Sequence, residues 1–180
     1  MVGGFDDYFV SPDAVHFVVH ALALAIQTTL ARFLVHGVVA LDFVLVVVVY
    51  VALTSGPASG MLTGTVAGLV QDALSTGVIG IGGLAKTIVG FLGGIIGTQF
   101  IVAQPLPRFV VFFGATLLHA ALFMGLYVVL DVRDFGTRPY VAVLWQAGAN
   151  AVAGVVAFQI VEFLPGAVER RRAAKPRLRR

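Results

Sequence analysis

The sequence predicts an all-α integral membrane protein, six transmembrane helices packed as one compact bundle. Three observations carry this. Hydrophobic residues make up 59% of the chain and charged ones 12%, with a mean hydropathy of +0.98, far more apolar side chain than a soluble domain of this length uses. The apolar residues fall in six runs, each near the roughly 20 residues that cross a bilayer, separated by short segments rich in proline, glycine or charge. Glycines recur every four residues along two adjacent runs, a small-residue pattern by which membrane helices approach one another. The runs take up 1–164, leaving 165–180 as a basic tail and no room for a second folded domain.

The first helix is expected over about 13–33, with Ser11-Pro12 as its start signal. The residues before it lack the basic region of a cleavable signal, so this run is expected to stay as a helix. It is polar for a span: His16, His20 and Gln27 fall on roughly one face. Two histidines four apart suit a metal, but no third ligand accompanies them, so they are read as facing the bundle interior and no metal is expected. Arg32 and His36 lie at the far end, where long side chains reach the surface. The second helix, about 38–53, contains the β-branched run after Asp42 and reads as lipid-facing, with Asp42 interfacial.

Thr54-Ser55-Gly56-Pro57 breaks the pattern and opens a helical hairpin, about 57–76 and 82–102. The first arm carries Gly60, Gly64, Gly68 and Asp72, each four residues after the last; the second carries Lys86, Gly90, Gly94 and Thr98 at the same spacing. Residues four apart share a helix face. Folding back at Ile79 sets Asp72 opposite Lys86, Gly68 opposite Gly90 and Gly64 opposite Gly94. A lone Asp or Lys at a helix centre costs roughly 2.5–3.5 kcal/mol on insertion scales, against about 0.3–0.6 kcal/mol returned by each Leu or Val. Each charge therefore needs a partner, and the sequence reading pairs Asp72 with Lys86.

Gln104-Pro105-Leu106-Pro107-Arg108 reads as a stiff loop, and the fifth helix as about 109–130, with His119 a packed hydrogen-bonding group. The polar segment 131–139 reads as solvent-exposed. The sixth helix, about 140–163, has Tyr140 and Trp145 at an interface belt and repeats Gln146, Asn150 and Gly154 on one face. Pro165-Gly166 is expected to end it, and the basic tail beyond to be disordered. Six spans with this tail inside put both termini in the cytoplasm.

The chemistry this leaves is sparse. Gly77 to Thr87 ends in Lys86-Thr87, but the phosphate-binding loop needs glycine directly before the lysine and a strand before the loop, and here both flanks are membrane helices. No Ser/His/Asp set or paired carboxylates occur at a plausible cleft, and there is no cysteine. No enzyme and no cofactor are expected. The sequence pI near 9.7 reflects the tail, which suits anionic lipid at about 1 kcal/mol per basic residue near the surface; nucleic acid is not expected. An interior polar set remains: His16, His20, Gln27, Gln71, Asp72, Lys86, His119 and Asn150.

Gly68-Leu69-Val70-Gln71-Asp72, then Leu74-Ser75, Gly80 and Leu84, and the G-F-L-G-G from Gly90 to Gly94 resemble the MreD family, inner-membrane proteins of the bacterial rod-shape system. Length, helix number, Gln27-Thr28 and the basic tail are similar too. Lys86 and the glycine density go beyond the family's pattern, so the Asp72–Lys86 pairing rests on this sequence alone. The resemblance implies a non-enzymatic scaffold in the bacterial inner membrane that partners MreC. It would act alongside MreB filaments, the RodA glycosyltransferase and a class B penicillin-binding transpeptidase. It also implies a fold similar to the substrate-binding subunits of energy-coupling-factor vitamin transporters, and hence a second reading as such a subunit. Short outer loops leave little to close over a vitamin, which favours the scaffold.

Overall fold

The computed structural model describes residues 41–75, 78–99, 104–131 and 140–173, with 162–173 described by backbone alone. Regular structure among them is helical: α1 (Phe43–Ala73), α2 (Ile81–Gln99), α3 (Pro105–Val129) and α4 (Tyr140–Ala173). All four are long and apolar enough to cross a membrane, α4 over Tyr140–Val161.

The expected count of six spans is not supported. The helix expected over 13–33, with His16, His20 and Gln27, lies outside the described residues. The two helices expected over 38–53 and 57–76 form one helical element with a break in it. Asp42 starts α1, its side chain accepting a hydrogen bond from Leu45 N at 3.0 Å, the side-chain cap that the unbonded N–H groups of a first turn need. Gly56 then takes φ 85°, ψ −179° ahead of Pro57. Glycine supplies the positive φ, and proline keeps its predecessor out of the helical region. The two halves fold back on each other: a Cβ on Gly60 would lie 2.6 Å from Ala52 Cβ, and Val44 and Val48 pack with Ala67. Residues eight apart in an unbroken helix stand about 12 Å apart. The first half rises only about 20 Å at 1.5 Å per residue, less than the roughly 30 Å hydrocarbon core.

Helix α2 lies against both halves, in a register about two helical turns from the one the sequence suggests. Gly60, not Gly68, meets Gly90; Gly64 meets Lys86 and Thr87; Gly68 meets Gly83; and Gly94 meets Pro57. These pairs centre on Ser75 rather than Ile79. At Gly60 and Gly90 an added Cβ on either would overlap the other's backbone carbonyl. Backbone contact this close requires glycine on both sides and gives the packing that membrane helices rely on.

Helix α3 begins at Pro105, four residues before the expected start, because the proline sits at N1 behind an extended Gln104, where its missing N–H costs nothing. Arg108 is thereby inside the helix and buried, its guanidinium 4.4 Å from the centroid of the Phe158 ring. Helix α4 continues through Pro165-Gly166 to Ala173, past the expected end at Phe163; the rest of the tail expected to be disordered, 174–180, lies outside the described residues. The run Glu169-Arg170-Arg171-Arg172-Ala173 is made of strong helix formers. Leu45, Val46, Val49, Val89, Phe112, Ala151 and Phe158 form the apolar core, to which all four helices contribute. The core positions a polar cluster lying just beside it.

Candidate functional site

Four helices each send one polar group or more into the same interior volume. From α2 comes Lys86, 3% exposed. Its Nζ lies 3.0 Å from Asp42 Oδ2 at the start of α1 and 3.2 Å from His119 Nε2 on α3. Asp42 N donates to Asn150 Oδ1 on α4 at 3.0 Å. Asn150 Nδ2 donates to Thr116 Oγ1 on α3 at 3.3 Å, and Thr116 Oγ1 donates to Phe112 O at 2.9 Å. Asn150 is fully buried, and its amide has one orientation that serves both partners. Both Asp42 oxygens are used, one by the ammonium and one as the helix cap.

Asn150 is at the middle of Tyr140–Val161, and Thr116 and His119 are near the middle of Pro105–Val129. Lys86 is in the second turn of α2 and Asp42 caps the start of α1, and a charge buried among apolar membrane-spanning helices is costly and must be paired. A charged donor bonded to a carboxylate and an imidazole satisfies that requirement.

This geometry overturns the expected Asp72–Lys86 pair. Asp72 is buried, but its Oδ2 accepts from Gly80 N and Gly83 N, both at 2.9 Å, across the turn that leads into α2. Backbone N–H groups at a helix N-terminus are an anion site, favoured further by the helix dipole. Asp72 therefore caps α2 and needs no side-chain cation. Because this cap pins the first turn of α2 beside Asp72, Lys86 lies further along, level with Gly64 and turned towards Asp42. A Cβ on Gly82 would overlap Asp72 Oδ1, so the cap also fixes that residue as small.

Of the residues expected in the interior, Lys86, His119 and Asn150 lie in one cluster. Gly60, Gly64, Gly68, Gly90 and Gly94 line the contact between α1 and α2. Gln71 is half-buried, with its Oε1 enclosed and without a hydrogen-bond partner, apart from the cluster. A second polar contact, Thr65 Oγ1 to Thr87 Oγ1 at 2.8 Å, links α1 to α2. The sequence reading misses the role of Asp42 and Thr116. The signal for Asp42 is present: Val38 to Leu41 before it are as apolar as the run after it, which argues against an interfacial position. Among the described residues no three of His, Cys, Asp and Glu group as metal ligands, and no side chain in the cluster is set up as a nucleophile. The arrangement can hold helices in register and exchange a proton.

A family model described as rod shape-determining protein MreD matches residues 10–165. No curated protein and no solved structure matches the chain, so the expected likeness to energy-coupling-factor subunits is without support.

Proposed function

The chain belongs to the MreD family, and from that membership and the geometry of α3 we propose that it is a non-enzymatic scaffold of the bacterial cell-elongation complex. In this reading it binds the single membrane helix of MreC. Through the complex with RodA and a class B penicillin-binding transpeptidase, it helps couple MreB filaments to peptidoglycan synthesis. It sits in the inner membrane with both termini cytoplasmic, and the basic tail contacts anionic lipid.

The observation that carries the reading is the open face of α3. Only 11% of its spanning window is buried, and Val110 (61%), Val128 (76%) and Val129 (80%) are exposed. Gly114 and Gly125, three turns apart and so on one side, have open space where a Cβ would be. The face thus pairs apolar side chains with two small residues, the composition of a membrane helix–helix contact. The buried cluster, by contrast, spends its polar groups on itself.

Co-purification tests this. Tagged protein expressed with its host's MreC is expected to bring MreC through detergent, and to lose it when MreC's membrane helix is deleted or when Gly125→Leu is introduced. Failure to retain full-length MreC under conditions that keep this chain folded would overturn the proposal.

A further inference from the structure

The open face of α3 has a definite cross-section. Between Val110 and Val128 the exposed residues are Val110, Gly114, Leu118, Ala121, Gly125 and Val128, and every other residue of that stretch is buried or half-buried. A helix turns about 100° per residue, so with Val110 and Val128 both at about 0°, Ala121 falls at about 20°, Gly114 at about 40°, Gly125 at about 60° and Leu118 at about 80°. The strip therefore keeps to one side of α3 along the whole stretch. Its three smallest residues run down the middle, and its three branched residues stand at the two edges. A Cβ on Gly114 or Gly125 would meet nothing within 4 Å. The strip is a shallow groove, one helix wide, rimmed by Val110 and Val128 on one side and Leu118 on the other. Lipid chains set no requirement on where small residues fall, whereas a packed helix does.

We propose that one apolar membrane helix lies lengthwise in this groove, with three of its larger side chains seated at Gly114, Ala121 and Gly125. The proposal rests on the reading above, in which α3 binds the membrane helix of MreC, and it specifies how that helix is held. The seats are seven and four residues apart, so the incoming helix presents large side chains at the same two intervals. Together they span about 16 Å of α3 at 1.5 Å per residue. From a central crossing point each outer seat is about 8 Å away. There, axes crossing at about 50° have separated sideways by about 6 Å, and axes crossing at about 20° by about 3 Å. The small angle keeps all three seats filled, which is the crossing of neighbouring helices in a left-handed membrane bundle. A second copy of this chain would set groove against groove and leave the centreline empty. The occupant is therefore a helix that carries a ridge.

Disulfide crosslinking tests this, because the chain has no cysteine of its own. Gly114→Cys, Ala121→Cys and Gly125→Cys are each expressed in the full chain with MreC bearing one cysteine, walked along its membrane helix, and the membranes are oxidised. Each seat is expected to link to its own position on MreC, with the three positions seven and four residues apart. Val156→Cys, on the exposed face of α4, is expected to give no link. Gly114→Leu and Ala121→Leu, which fill the groove, are expected to lose MreC on co-purification. Links at one seat alone, or equally at Val156→Cys, overturn the lengthwise geometry and leave the MreC reading standing. MreC that co-purifies without a link at any seat is held elsewhere, which overturns the groove alone. Links between two copies of this chain at the seats make a second copy the occupant and overturn the proposal. Failure of the wild-type chain to retain MreC overturns the underlying reading, and the proposal with it.

Discussion

Replacing Asn150 with leucine, of similar size and wholly apolar, isolates the hydrogen bonds that join α4 to the rest of the bundle. Asn150 is fully buried, so the change removes an acceptor and a donor without opening the site to water. Losing Oδ1 strands Asp42 N, bonded at 3.0 Å, among the free N–H groups at the start of α1. An orphaned buried donor costs about 1–3 kcal/mol, with membrane double-mutant cycles, averaging about 0.6 kcal/mol, setting the lower bound. Losing Nδ2 costs less, because Thr116 Oγ1 still donates to Phe112 O. Asn150→Leu should therefore destabilise by about 1–3 kcal/mol, and Thr116→Val, which strands the buried Asn150 Nδ2 donor, by a similar amount. Denaturant titration of the detergent-solubilised protein, followed by circular dichroism, measures both. A neutral Asn150→Leu would refute the claim that Asn150 ties α4 to the start of α1.

Two other changes test the packing. Asp72→Ala removes the cap on α2 and should cost about 0.5–2 kcal/mol, with Gly82→Ala costing a similar amount because its Cβ would push the carboxylate away from Gly80 and Gly83; hydrogen exchange of the first turn of α2 should rise in both. Gly60→Leu, against the Gly90 backbone, should cost about 1–3 kcal/mol or more, whereas Gly125→Leu, with open space around it, should leave the unfolding free energy within about 0.5 kcal/mol of wild type.

What the sequence makes legible here is spacing. Glycine every fourth residue marks the faces by which α1 and α2 meet, and Gly56-Pro57 marks the break between the halves of α1, because these features depend on one helix at a time. Which charge meets which depends on register, and register turns on the Asp72 side chain reaching backbone N–H groups at Gly80 and Gly83, a bond with no sequence spacing of its own. A symmetric fold-back at Ile79 therefore selects the wrong partner for Lys86. Asp42 reads as interfacial because it begins a hydrophobic run, although an apolar stretch precedes it as well. Pro105 reads as a helix breaker where it is a helix start, since proline at N1 and proline in a loop differ only in the conformation of the residues after them.

The central claim is that Lys86 belongs to Asp42, at the junction of all four helices. Unfolding free energies of Asp42→Asn, Lys86→Met and the double variant test it most directly, alongside Asp72→Asn with and without Lys86→Met. Removing one partner of the buried pair should cost about 3–5 kcal/mol, and removing both should cost much less than the two single losses together. Asp72→Asn should show little coupling to Lys86→Met. Coupling between Asp72 and Lys86, with additive losses for Asp42 and Lys86, would contradict the claim.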